Sequence, residues 1–217
     1  TDAPALFSPH PLFENFGERV ARSEACVRLG LDPANRYVLF FGLIRDYKGL
    51  DLLLEAWARL KRAGQTEGRR LIVAGEFYTA REPYLKQIAD NGLQDEVLLH
   101  DRFIPDDEVK YYFSAADFVV QPYKTATQSG VTQIAYQFCV PMVVTKVGGL
   151  AEIVPDGRVG YVCKPTAEGV ADAIERMYAG DTLLRFRENC VGERRRFSWE
   201  EMCNRIAELY EKVAAGR

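Results

Sequence analysis

Two cations, Arg45 and Lys48, stand three residues apart in the segment Gly42-Leu43-Ile44-Arg45-Asp46-Tyr47-Lys48-Gly49, which glycines bracket. The apolar run Tyr37 to Phe41 precedes them, and Leu50, Leu53, Leu54 and Trp57 follow at helical spacing. That order predicts a strand, a short loop and a helix. Such a turn gathers two positive side chains and the unpaired amides of a helix N-terminus, which is the chemistry of anion binding and of phosphate above all. The competing reading is of solvated charges on an ordinary turn, and these residues alone leave both open.

Two further loops carry polar chemistry. Pro122-Tyr123-Lys124-Thr125-Ala126-Thr127-Gln128-Ser129-Gly130 is rich in short polar side chains and ends where a mostly apolar helix begins, so its free amides suit the same anion. Thr125, Thr127 and Ser129 equally fit plain turn and capping roles. In Lys146-Val147-Gly148-Gly149-Leu150-Ala151-Glu152, paired glycines allow close backbone approach. Glu152 either accepts sugar hydroxyls or favours its helix N-terminus through the dipole. Phe103 and Ile104, before Pro105, either line the base end of a nucleotide or belong to the core.

The elements that must position these loops alternate. Strands are expected at Tyr37 to Phe41, Arg70 to Ala74, Val97 to His100, Phe118 to Gln121, Met142 to Thr145 and Tyr161 to Cys163. Helices are expected at Glu18 to Leu29, Gly49 to Ala63, Arg81 to Asn91, Asp106 to Ala115, Gly130 to Phe138, Leu150 to Val154, Ala167 to Ala179, Thr182 to Arg195 and Trp199 to Ala214. Ser198 with Glu201 reads as a capping box, and Asp106 or Asp107 as a helix cap. The order predicts an α/β fold, a doubly wound, Rossmann-like, six-stranded parallel sheet flanked by helices. With strand order 3-2-1-4-5-6, the crevice at the topological switch lies beyond the first and fourth strands, where the Gly42 and Ser129 loops converge.

Composition narrows the classes. With 217 residues, 47% hydrophobic and 27% charged, the chain has enough apolar material for a full core. A net charge of -3 argues against a protein built around nucleic acid. The five cysteines are scattered and never form C-x-x-C, which points to reduced thiols and a cytoplasmic setting rather than to disulfides or zinc. No long apolar run and no signal-peptide pattern is present. There is no G-x-S-x-G elbow and no D-x-D motif, and His10 and His100 fit packing or surface roles better than base or metal-ligand roles.

Taken together, Gly42…Arg45…Lys48-Gly49, the Ser129-Gly130 helix start, Pro141-Met142-Val143-Val144-Thr145, Gly148-Gly149-Leu150-Ala151-Glu152-Ile153-Val154 and Asp156-Gly157…Gly160 resemble a known domain. It is the C-terminal, donor-binding domain of retaining GT-B glycosyltransferases of group 1, also called family 4. The resemblance runs from about Pro9 onward and implies one half of a GT-B fold. Residues 1–16 become a linker from a missing N-terminal domain, 17–197 the nucleotide-sugar-binding domain and 198–217 a C-terminal helix.

For chemistry, the resemblance implies a hexose moved with retention from a nucleotide diphosphate sugar, UDP or GDP, to a carbohydrate or lipid-linked acceptor. No cofactor and no obligatory metal are implied, and peripheral membrane association of a longer protein is left open. Lys48 is implied to bind the donor diphosphate with Arg45 as second cation. Gly42, Thr127, Gln128, Ser129, Gly130 and Val131 are implied around the donor, with Gly149 and Glu152 on the sugar side. The family also carries two glutamates eight positions apart, where this chain has Ala126 and Ile134. Gln128 or Gln133 is the neutral candidate for part of the lost hydrogen bonding. A noncatalytic nucleotide-sugar-binding or scaffold module is the alternative reading.

Overall fold

The computed structural model describes residues 4–215. Its six strands are β1 (Arg36–Phe41), β2 (Arg69–Ala74), β3 (Val97–His100), β4 (Phe118–Gln121), β5 (Met142–Thr145) and β6 (Gly160–Cys163). They form one all-parallel sheet in the order β3-β2-β1-β4-β5-β6. The pairing of β1 with β4 makes the switch point, and both strands deliver their loops to the same crevice.

Interior parallel strands are buried on both faces, which explains the continuous apolar runs that betrayed them. Alternation within β1 divides the core: Tyr37, Leu39 and Phe41 face one side, Val38 and Phe40 the other. The second side is covered by α2 (Leu50–Arg62), α3 (Glu82–Asp90) and α7 (Ala167–Met177). The first carries α1 (Arg22–Leu29), α4 (Asp106–Ala115), α5 (Gly130–Gln137) and the short α6 (Leu150–Ile153). Helix α8 (Thr182–Glu193) serves both, through Cys190 and Phe186, before a 3-10 turn at Arg194–Phe197 and α9 (Trp199–Ala215).

Residues 7–16 run across the first face. Leu12 is buried there and its N–H donates to Phe197 O at 2.9 Å, while Arg205 Nη1 donates to Phe7 O at 2.9 Å. A 3-10 turn at Glu14–Phe16 then leads toward α1.

Three local expectations are corrected. Helix α1 begins at Arg22 rather than Glu18, because the Val20 N–H donates to Ser114 Oγ at 3.1 Å and ties that stretch to α4 instead. Helix α4 has Pro105 as its N-cap with no side-chain cap, and Asp106 accepts from Asn15 Nδ2 at 3.1 Å. The capping box at α9 is one-sided: Ser198 Oγ accepts from the Glu201 N–H at 3.1 Å, but the Glu201 carboxylate turns to Arg205 Nε at 2.9 Å.

Asp117 ties the sheet together at the opposite end from the crevice. Buried before β4, it accepts from the Tyr37 N–H at 3.0 Å, and burial pushes its carboxyl above the ordinary value although Arg36 stands nearby at 3.5 Å. Asp117→Ala would orphan that buried N–H, and the expected loss is about 1–3 kcal/mol in urea unfolding. An unchanged unfolding midpoint would mean that the bond contributes nothing net.

Candidate functional site

The crevice is built on a 3-10 turn, Asp46–Lys48, that the loop after β1 makes before α2. Gly49 closes the turn at φ +69°, and a Cβ there would stand 2.1 Å from Pro122 O, so only glycine lets the first loop pack on the second. The same contact is reinforced by the Lys124 N–H, which donates to Tyr47 O at 2.7 Å, and by Lys124 Nζ, 2.6 Å from Asp51 Oδ2. Two loops joined by contacts 73 residues apart in sequence thus become one wall.

The tightness of the turn directs Lys48 inward. Its side chain is 9% exposed, and a Cβ on Gly42 would lie 3.2 Å from its Nζ. The ammonium stands 5.8 Å from the centre of the Tyr123 ring, and no carboxylate pairs with it among the described residues. Burial, helped by the positive charge of Arg45, lowers its pKa from 10.5 to about 8. A cation held this way attracts any anion that can replace its lost water.

Facing Lys48 is the start of α5. Ser129 Oγ accepts from the Val131 N–H at 3.2 Å and meets Tyr123 Oη at 3.2 Å. One first-turn amide is satisfied by this cap, and Gly130, whose N–H has no intrahelical acceptor, lines the cavity beside it. The cavity holds about 300 Å³, with Phe41, Gly42, Tyr47, Lys48, Tyr123 and Val131 on its walls. No carboxylate lines it, so its formal charge is that of Lys48.

Of the residues singled out from sequence, Gly42, Lys48, Gln128, Ser129, Gly130 and Val131 meet at this cavity, and Gln133 lines an adjoining one. The others lie elsewhere. Arg45 is exposed with its guanidinium 5.2 Å from the centre of the Tyr78 ring; it lines neither cavity and acts on the site through its charge on Lys48. Thr127 is exposed and its carbonyl accepts from the Gly149 N–H at 3.1 Å. Gly149 therefore packs loop on loop. Glu152 is exposed, Phe103 is 64% exposed and Ile104 is part of the core, and none of the three lines either cavity. Of the positions where the family has acids, Ile134 lines the cavity, while Ala126 is partly buried against the core.

Sequence reasoning missed the wall that comes from residues 10–16. Phe13 and Phe16 line the cavity, and His10 stacks on Phe13 at 4.7 Å between ring centres while its Nδ1 meets Pro11 O at 2.7 Å. The available signal was aromatic spacing, His10-x-x-Phe13-x-x-Phe16, in a segment otherwise read as irregular. Among the described residues no group of three or more His, Cys, Asp or Glu is placed to hold a metal ion.

The sequence model of the family described as "Glycosyl transferases group 1" matches residues 35–180. The D-inositol 3-phosphate glycosyltransferase of Segniliparus rotundus is 31% identical over 201 residues, which is 90% of this chain and 44% of that protein. That of Thermobifida fusca is 36% identical over 149 residues, 65% of this chain and 34% of that one. The chain thus spans less than half the length of these curated relatives.

Solved structures agree on the fold. Sucrose-phosphate synthase from Thermosynechococcus elongatus has a TM-score of 0.80 at 23% identity, over 96% of this chain and 52% of that one. The C-terminal domain of the group 1 glycosyl transferase LpcC from Francisella tularensis has a TM-score of 0.69 at 20% identity, over 83% and 94%. Anabaena HepE, solved in complex with UDP and glucose, has a TM-score of 0.71 at 21% identity, over 92% and 55%. With the family model covering two thirds of its length and the switch-point sheet in place, this chain belongs to the group 1 glycosyltransferases.

Proposed function

We propose that the chain is the donor-binding half of a retaining glycosyltransferase that moves a hexose from a nucleotide diphosphate sugar to a carbohydrate or lipid-linked acceptor. The observation that carries this reading is the buried Lys48 ammonium facing the start of α5 across one cavity. When the glycosidic bond to the diphosphate breaks, negative charge grows on the leaving oxygens. A fixed cation and fixed amides stabilise that charge most at the moment it appears, which lowers the barrier rather than merely tightening the complex. Arg45, exposed and near enough for its charge to act on Lys48, adds long-range attraction for the incoming dianion. No step calls on a metal or a cofactor, and UDP or GDP is the expected donor nucleotide. The acceptor would be held by a partner domain, and without it the 217-residue chain is expected to bind donor but transfer no sugar.

A noncatalytic nucleotide-sugar-binding module is favoured by one observation, the absence of any carboxylate from the cavity walls, with Ile134 where the family has an acid. Two measurements separate the readings. In a thermal-shift panel of UDP and GDP, ligand binding to the folded state is expected to raise the melting temperature with concentration. Turnover of the matching nucleotide sugar by the full-length protein then supports the transferase, whereas binding without turnover leaves the binding module. Absence of any shift at millimolar ligand would reject both.

A further inference from the structure

Lys48 owes its inward direction to a 3-10 turn whose first residue, Asp46, carries a carboxylate. Beside a site for an anion that charge is repulsive, so its presence calls for a reason. Asp46 is exposed but not idle: its Oδ1 accepts from Thr79 Oγ1 at 2.9 Å and from Tyr84 Oη at 3.1 Å. Thr79 lies in the loop after β2 and Tyr84 in the first turn of α3, 33 and 38 residues away in sequence. Tyr84 is 6% exposed and its ring centre stands 5.5 Å from that of Phe77. Burial, with Asp46 as hydrogen-bond partner, pushes its pKa up to about 12, so the hydroxyl remains a donor throughout the neutral range.

The backbone follows the same route. Beyond the strand ends the Ile44 N–H donates to Glu76 O at 2.8 Å and the Tyr78 N–H to Ile44 O at 2.9 Å, which carries the β1 to β2 pairing up to the residue before Arg45. Asp46 is the next tie. Gln87, one turn beyond Tyr84 on α3, then donates to Asp51 O at 2.8 Å just past the turn. Helix α3 thus holds the phosphate turn at both ends, as the loop after β4 holds its middle. Resting on the reading of the Lys48 cavity as a nucleotide diphosphate site, we propose that Asp46, gripped by Thr79 and Tyr84, is a positioning residue that aims the Lys48 ammonium at the phosphate. It acts by fixing the backbone of the turn and not by pairing with Lys48, whose pKa is set by burial and by Arg45, with Tyr47 and Tyr123 as the other titratable groups around it.

Calorimetry with UDP and GDP on the 217-residue chain tests this through the sign of the effect. By charge alone, removing a carboxylate near an anion site tightens binding. Asp46→Ala is expected to weaken it by about three- to tenfold, a part of the ten- to a hundredfold that a charge-assisted bond from Lys48 is worth. Asp46→Asn loses the charge but keeps a carbonyl oxygen that accepts from both hydroxyls, and it restores binding to at least the wild-type level. Tyr84→Phe, on a different element, leaves the charge in place and removes one of the two bonds, for an expected loss of about two- to fivefold. The pH profile is a further readout that a merely structural tie would not move: with the turn released Lys48 regains water, and the pH above which affinity falls moves from about 8 toward 10.5 in Asp46→Ala. Alanine binding as well as the wild type or tighter, asparagine binding as weakly as alanine, or a pH profile unmoved in the alanine variant overturns the assignment. Failure of both UDP and GDP to bind the wild type overturns the reading of the Lys48 cavity, and this one with it.

Discussion

Replacing Lys48 by methionine is expected to weaken UDP or GDP binding by about ten- to a hundredfold, the worth of a charge-assisted hydrogen bond to phosphate. The same change is expected to raise the melting temperature at neutral pH. Both effects have one origin. The ammonium is buried with no anionic partner, so it destabilises the empty protein and is relieved when phosphate arrives.

The pH dependence follows with a definite sign. Lys48 has a folded pKa of about 8, below its ordinary 10.5, so the unfolded chain holds the extra proton between those values. Its destabilisation is complete below about pH 8 and is lost as pH rises from there toward 10.5, where the wild type should gain on the methionine variant. The integrated difference is on the order of 3 kcal/mol at one pKa unit per 1.36 kcal/mol. Binding runs the other way: above about pH 8 the free site has lost its proton, and affinity should fall by about tenfold per pH unit while the complex remains protonated. Calorimetry from pH 7 to 9.5 checks this. A flat affinity profile in the wild type, or equal binding by the methionine variant, would show that Lys48 does not hold the phosphate.

Gly148→Ala should be the most damaging small substitution near the site. Gly148 has φ +49°, and a Cβ there would fall 1.5 Å from Ala126 O, an impossible approach to backbone. The loop after β5 would be forced off the loop after β4. The expected loss is on the order of 3 kcal/mol or more in chemical unfolding, with weakened diphosphate binding, because Ser129 and Gly130 end the displaced loop. Gly157→Ala is the control. That residue has φ +72° but nothing within 4 Å of an added Cβ, so it should show only the conformational penalty of about 1 kcal/mol. Equal losses at the two positions would sink the close-packing explanation.

The sheet was readable because buried parallel strands need unbroken apolar runs, and Phe118 to Gln121 or Met142 to Thr145 have no other easy home. The strand order expected is the common one for alternating strands and helices, the convergence of the two unusual loops is deduced from it, and the sheet has that order. Less readable was anything set by tertiary contact. Nothing in the spelling of residues 18–21 says that Val20 will bond to Ser114 rather than enter a helix. The same holds for Lys48 and Arg45: two cations three residues apart in one loop look equivalent, and only the 3-10 turn sends one inward and leaves the other exposed. Phe13 and Phe16 were invisible as wall residues because an irregular segment has no period to reveal which side it buries.

The position of β1 at the centre of the sheet also sets an order of events during synthesis. β1 pairs with β2, and β2 with β3, all three strands lying before β4 in the sequence, whereas the other edge of β1 waits for β4. A nascent chain that has emerged only as far as α4 therefore carries a three-stranded sheet with the edge of β1 unpaired, although Phe41 already packs on Tyr112 and Phe113 of α4. Open edges of this kind pair readily with other chains, and contacts so distant in sequence form late. The strand that seats the phosphate loop is thus an interior strand that must wait, with one edge open, until β4 has been made.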